Sequence, residues 1–248
     1  MKKFIILLLL AGTFINLTQA KIQAGVGIKI GGNFGRFNNT INDRHKLITA
    51  GGTFNYQPGI NAGIQGRIWI NKFVGLNLAA EFNMGGCKIK TTQGTTITTT
   101  THKENQITIP VTALVGWGNE RLRVFAAFGG YFGYIFNGKD KVVKNINGSE
   151  GAAVTTKSDY SNVYRNLDAG IRVGGGVQVY VDKKLRSCFT FDVNYDHGFL
   201  KAYKNQPAQY VDMKITPSKL NVAIGFLYSF GKDQHEEAPK RTFETTEE

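Results

Sequence analysis

The sequence predicts an all-β protein: an eight-stranded antiparallel up-and-down transmembrane β-barrel with a flexible C-terminal tail. Three observations predict it. Eight segments alternate apolar and polar residues with period two. Those segments are long, as crossing a bilayer takes about 9–11 residues per tilted strand against about 5–6 in soluble sheets. The connections alternate between short and long, the asymmetry of barrels that keep short turns on one side of a membrane. Beyond residue 20 no apolar run is long enough for a spanning helix. A barrel needs none, because its lipid-facing and lumen-facing residues cancel in any hydropathy average.

Residues 1–20 read as a signal peptide. Lys2 and Lys3 give a positive start, Phe4 to Ala11 is a short apolar run, and Thr18-Gln19-Ala20 is a small-x-small cleavage site. The run is too short to anchor a helix in hydrocarbon, and no cysteine stands near the cleavage site to accept a lipid. The barrel then occupies residues 21–231.

The strands follow in order. The first alternates Ala24, Val26, Ile28 and Ile30 with Gln23, Gly25, Gly27 and Lys29. The second sets Ile60, Ala62, Ile64 and Ile68 against Asn61, Gln65 and Arg67. In the third, Leu76, Leu78, Ala80 and Phe82 oppose Asn77, Glu81 and Asn83, and in the fourth Ile107, Ile109, Val111 and Val115 oppose Gln106, Thr108 and Thr112. The fifth, about 121–136, is apolar on both faces, so its phase is open. The sixth opposes Ala169, Ile171 and Val173 to Asp168, Arg172 and Gln178; the seventh opposes Phe189, Phe191, Val193 and Tyr195 to Thr190, Asp192, Asn194 and Asp196. The eighth sets Val222, Ile224, Phe226, Tyr228 and Phe230 against Asn221, Gly225 and Ser229.

Short turns fall at Asn71-Lys72, Gly118-Asn119-Glu120 and Asp182-Lys183-Lys184, and long polar loops at 38–57, 90–105, 137–162 and 201–217. The Thr-rich stretch Thr91–Thr101 reads as an extended or mobile part of one loop. Residues 232–248, acidic and nearly devoid of apolar side chains, read as a disordered periplasmic tail. An even strand count puts both termini in the periplasm.

Aromatic residues gather at strand ends, as the two girdles of a membrane barrel require. Trp69, Phe73, Trp117, Tyr228 and Phe230 are expected at the periplasmic side. Phe34, Phe37, Phe82, Tyr134, Phe136, Tyr195 and Phe199 are expected at the outer side.

Five segments stand in order along the chain: Val74-Gly75-Leu76-Asn77-Leu78 with Glu81 and Gly85-Gly86, Ile107-Thr108-Ile109-Pro110, Gly129-Gly130-Tyr131-Phe132-Gly133-Tyr134, Leu167-Asp168-Ala169-Gly170-Ile171 with Gly174-Gly175-Gly176, and Asp192-Val193-Asn194-Tyr195-Asp196-His197-Gly198. Together they resemble the PorT-like "porin family" outer-membrane barrels of Bacteroidota. The resemblance covers about 21–231 and implies a barrel of the bacterial outer membrane. Its family name implies an accessory part in a type nine-like secretion system. One departure is that residues follow Phe230, where many such barrels end.

Eight strands enclose an interior that side chains can fill. The predicted lumen charges are Lys29, Arg67, Glu81, Arg123, Asp168, Arg172, Asp192 and Asp196. They are expected to form a hydrogen-bonded ion network rather than an ion path. Glu81 is expected to pair with Arg67 or Arg123. Interior glycines such as Gly170, Gly176 and Gly225 leave room for long side chains.

No enzyme is expected. His45 and His102 fall in loops with no evident partner, His235 in the tail, and His197 beside Asp196 on a strand, where neighbours face opposite ways. His197 therefore reads as an interfacial aromatic. No metal or cofactor motif is present, and Gly174-Gly175-Gly176 lacks the following helix of a phosphate loop. Net charge is +12, or +10 once Lys2 and Lys3 are removed. The expected neighbours are outer-membrane lipid and lipopolysaccharide, with protein partners through loops or tail and no nucleic acid. Cys87 and Cys188 are expected free, since they differ in height by on the order of 25 Å, whereas a disulfide needs Cα atoms about 5.5–6 Å apart. The resulting function is a structural or surface-binding barrel acting through four long loops, with a secretion accessory or a narrow passive pore as alternatives.

Overall fold

The computed structural model describes residues 22–39, 52–119, 121–146, 149–151, 154–156, 165–182, 184–202, 204 and 215–230. The predicted leader 1–20 and the tail 232–248 lie outside the described residues, as do 40–51 and 205–214 within two predicted loops. The strands are β1 (Gln23–Asn39), β2 (Gly52–Trp69), β3 (Val74–Gln93), β4 (Thr96–Gly118) and β5 (Leu122–Ile146). After them come the short β6 (Ser149–Glu150) and β7 (Val154–Thr156), then β8 (Leu167–Tyr180), β9 (Ser187–Gly198) and β10 (Ile215–Phe230).

Eight of these close a ring in the order β4-β3-β2-β1-β10-β9-β8-β5, with β5 returning to β4; β6 and β7 pair only with β5. Every pairing is antiparallel, and β1 meets β10 from Ala24↔Phe230 to Asn39↔Ile215. Closure leaves no row of unpaired backbone groups facing lipid, which hydrocarbon demands. The β3–β4 ladder is interrupted between Leu78↔Val111 and Glu81↔Thr108, beside Pro110, whose ring nitrogen carries no proton to donate.

Each short turn is tied by one side chain. The Asn71 Oδ1 accepts from the Phe73 and Val74 N–H at 2.8 and 2.7 Å. Asn119 Oδ1 does the same for Arg121 and Leu122 at 3.0 and 2.7 Å. Asp182 Oδ1 accepts from Arg186 and Ser187, both at 2.8 Å. These acceptors satisfy donors that the strand ends leave free.

Burial is inverted relative to a protein solvated on all sides. Val26, Ile28, Ile64, Leu78, Val111, Phe128, Phe189 and Ile224 are exposed, while Lys29, Arg67, Glu81, Arg172, Asp192 and Asp196 are buried. An apolar surface of this extent needs a hydrocarbon neighbour. On β4 the outward residues from Trp117 to Ile107 are apolar. Ten residues at about 3.3 Å, tilted about 40°, give a band about 25 Å tall, the height of a membrane-barrel belt. β5 takes one phase: Arg123, Phe125, Ala127 and Tyr131 face in, and Val124, Phe128 and Phe132 face out.

Two predicted loops are corrected. Residues 90–105 are not a loop, because β3 and β4 run on in register to Gln93↔Thr96. The turn between them is tight, with Gly94 at φ +58°, a conformation that glycine adopts without strain. Likewise β5 continues through 137–146 beside β4. A run of threonines and lysines with no apolar contrast hides its period, yet β-branched threonine suits a strand. The outcome is a sheet of β2, β3, β4 and β5 that projects beyond the ring at the long-connection end. Backbone bulges between Asn105 and Gln106 and between Tyr56 and Ile60 mark where it leaves the ring.

Candidate functional site

Inward parity brings the lumen side chains together in layers. At the short-turn end Trp69, Leu114, Phe125 and Ala127 pack as one cluster and Tyr180, Leu185, Cys188 and Leu227 as another. Trp69, expected in the girdle, is therefore a lumen residue. It shares the phase of Arg67, is 2 % exposed, and its Nε1 donates to Gln178 Oε1 at 3.2 Å. Phe37 is corrected for the same reason: it shares the phase of Asn33 and is buried. The other girdle residues Phe73, Trp117, Phe136, Tyr195, Phe199, Tyr228 and Phe230 face outward and are exposed.

Above these clusters Arg67 donates to Asp192 at 3.1 Å and to Gln178 at 3.3 Å, with its guanidinium 4.4 Å from the Phe125 ring centroid. The next layer centres on Glu81. Arg172 reaches it from across the lumen with NH1 at 2.6 Å and NH2 at 2.9 Å, and Lys29 pairs with it from β1. Arg172 also clamps Asp196 at 2.6 and 2.7 Å, and Asn221 donates to Asp196 at 2.9 Å. The expected partners Arg67 and Arg123 are thus wrong for Glu81. Arg67 is held by Asp192, and Arg123 lies 4.2 Å from the Trp69 ring centroid, a cation–π contact. Arg123 makes no ion pair among the described residues, and its NH1 is buried without a hydrogen bond.

Nearer the long-connection end Asp168 accepts from Tyr131 at 3.2 Å and from Gln106 at 3.3 Å. Lys219 pairs with Glu104 at 3.0 Å and contacts Gln106. Phe37, Cys87, Ile89, Ile135 and Ile215 then form an apolar cluster across that end. Apart from His102, the buried charges balance: Lys29, Arg67, Arg123, Arg172 and Lys219 against Glu81, Glu104, Asp168, Asp192 and Asp196. The cavity beside Lys29, Arg67, Arg172 and Asp192 measures about 10 Å³, room for about one water. Glycines make the fit: a Cβ on Gly225 would come within 2.6 Å of Gln65 and 2.7 Å of Thr190.

A row across the projecting sheet carries nucleophile, base and acid types in register: Cys87, His102 and Asp140. His102 is corrected from a loop histidine to a buried strand residue, its Nδ1 2.5 Å from Asp140 and its Nε2 3.7 Å from Glu104. Their carboxylates outweigh the cost of burial and raise His102 to about 9, so it is protonated at neutral pH. Burial pushes the Cys87 thiol up, and the nearby Glu104 and Asp140 carboxylates add to this. The Cys87 thiol is buried and protonated, and the protonated His102 cannot take its proton, so the row lacks an activated nucleophile. His197 faces outward, stacked on Tyr195 with centroids 6.5 Å apart and edge-on to Phe199 at 6.1 Å. Asp196 faces the lumen.

The family model described as "Outer membrane protein beta-barrel domain" matches residues 18–204. The chain belongs to that family. Its membrane is the bacterial outer membrane, and the apolar band is its lipid face. No curated protein matches the sequence. Among solved structures it is similar to OprG of Pseudomonas aeruginosa, with 12% identity over 86% of this chain and 98% of that one, TM-score 0.48. It is also similar to Ail of Yersinia pestis, solved in complex with the heparin analogue sucrose octasulfate (13% identity, 84% and 99% covered, TM-score 0.35). A third is the outer membrane protease OmpT of Escherichia coli (8% identity, 86% and 98% covered, TM-score 0.30). At such identities none of them transfers a ligand or an activity.

Sequence reasoning missed Glu104, His102, Tyr131, Asp140 and Lys219 in this outer-membrane barrel. The signal for three of them was present. Glu104 and His102 continue the inward phase of Gln106 and Thr108, and Lys219 continues that of Asn221. Tyr131 was hidden by a strand apolar on both faces, and Asp140 by the bulge that shifts the phase of β5.

Proposed function

We propose that this chain is a non-enzymatic, non-conducting outer-membrane barrel that displays the projecting sheet and its connections at the cell surface for binding. The short turns and both termini then lie in the periplasm. The observation that carries this reading is the filled lumen, with paired charges through its middle and apolar clusters at each end. An ion path would have to break the Arg172 contacts to Glu81 and Asp196, and separating buried pairs costs about 3–5 kcal/mol. Purified protein in planar bilayers is expected to give no discrete conductance steps. Sustained steps that scale with salt concentration would refute the reading.

The resemblance to PorT-like barrels supports a second reading, an accessory component of type nine-like secretion. A deletion strain tests it through its secreted and surface proteomes. Loss of a defined set of exported proteins, restored by complementation, is the outcome that favours secretion. Unchanged export, with binding lost on shortening the 88–100 hairpin, favours display.

A further inference from the structure

The outward face of the projecting sheet carries five lysines. Lys88 and Lys90 stand on β3, Lys103 on β4, and Lys139 and Lys141 on β5, and all five are exposed. Register brings them into adjacent rows. Lys103 is directly opposite Lys139, and Thr101 joins Lys88 to Lys141 across β4. None of the five makes an ion pair among the described residues. The acids of the same strands turn inward, Glu104 and Asp140 to His102 and Glu81 to Arg172. Like charges held directly opposite each other in a sheet are destabilising unless an anion lies between them.

The place of this patch selects the anion. It continues the lipid-facing column upward: the row Phe82, Ile107, Tyr134 is apolar and exposed, and Lys103 lies four residues further along β4 than Ile107. Four residues at about 3.3 Å, tilted about 40°, set the first lysine row about 10 Å above that aromatic row, at headgroup level. Lysine suits this depth, since its alkyl stem lies on apolar surface while the ammonium reaches polar groups.

We propose that Lys88, Lys90, Lys103, Lys139 and Lys141 form a binding surface for the phosphate groups of glycolipid in the outer leaflet. The proposal rests on the orientation taken above, with the long connections outward, and is independent of the closed lumen. Binding in detergent needs no orientation, so its failure is separable from that of the display reading.

The test is native mass spectrometry of the purified, folded full-length chain in detergent, titrated with bis-phosphorylated lipid A. Wild type is expected to retain the lipid. Lys103→Gln/Lys139→Gln/Lys141→Gln is expected to bind it one to two orders of magnitude more weakly. Lys72→Gln/Arg121→Gln/Lys184→Gln, an equal charge loss at the short-turn end, is expected to bind as wild type does. Lipid A stripped of both phosphates is expected to bind wild type as weakly as the patch variant binds the intact lipid, a comparison that needs no variant to fold. The proposal is overturned if the patch variant binds normally, if the short-turn variant loses as much, or if the stripped lipid is retained. Displacement of lipid A by equimolar inorganic phosphate would also overturn it, as the mark of a free-anion site.

Discussion

At the scale of single residues, the lumen is held by charges whose removal is costly because their partners cannot reach water. Glu81 is the centre, contacted by Lys29 and twice by Arg172 while 1 % exposed. Glu81→Gln keeps the shape but leaves two buried cations underpaired. It is expected to lower unfolding stability by about 3–5 kcal/mol. Arg172→Gln alone should cost a similar amount by stranding Glu81 and Asp196. The double variant should cost clearly less than the sum, because each change removes the charge that the other strands. Urea unfolding of vesicle-inserted protein measures the cycle, and strict additivity would show that the pair is not coupled. Seven of the eight predicted lumen charges follow from alternation alone, since period-two parity needs no partner, whereas Arg123 sits in a strand apolar on both faces that leaves the phase open. Which charge meets which was not, because Arg172 meets Glu81 across the lumen and a sequence carries no information about cross-lumen distance.

At the scale of elements, the projecting sheet is held to itself by a charge inside it. His102 on β4 bonds Asp140 on β5 and sits beside Glu104, above the apolar band. Its ionisation rises from 6.5 to about 9 in the folded chain. A group whose folded value is raised binds its proton more tightly than the unfolded chain does, so it stabilises fully below about 6.5, and that contribution is lost as pH rises through about 9. A ring-proton titration of His102 by NMR is expected to show a midpoint near 9, and His102→Gln should remove the matching slope in stability between those values. A midpoint near 6.5 would refute the contact. This element was the part of the fold least legible in the sequence. Ile97-Thr98-Thr99-Thr100-Thr101 has no apolar contrast, and outside the bilayer nothing requires one face to be greasy. Loop length was therefore overread where strands simply continue. Trp69 shows the complementary error: amphipathic chemistry at a strand end suggested the interface, whereas parity with Arg67 placed the ring inside.

At the scale of the whole molecule, the barrel is an inside-out protein whose interior carries an apolar cluster at each end. The two thiols report on this because they lie at opposite ends. Cys87 faces Phe37, Ile89, Ile135 and Ile215 at the long-connection end, and Cys188 faces Tyr180, Leu185 and Leu227 at the short-turn end. Both are free and 0 % exposed. A water-filled lumen would wet the inward side of each cluster and expose both sulfurs to small polar reagents. A lumen filled by the Glu81–Arg172–Asp196 layer gives such a reagent no approach from either mouth. Folded protein in vesicles, treated with a charged maleimide from outside and then from within, is therefore expected to label at neither cysteine, whereas urea-unfolded chain labels at both. Rapid labelling of Cys87 alone would mean that the long-connection end opens. Labelling of both in the folded state would mean a hydrated channel, and the display reading would give way to a pore. Trp69→Ala supplies the internal control: removing the ring beside Leu114 and Phe125 opens space at the short-turn end only, so any gain in labelling should appear at Cys188 and leave Cys87 protected.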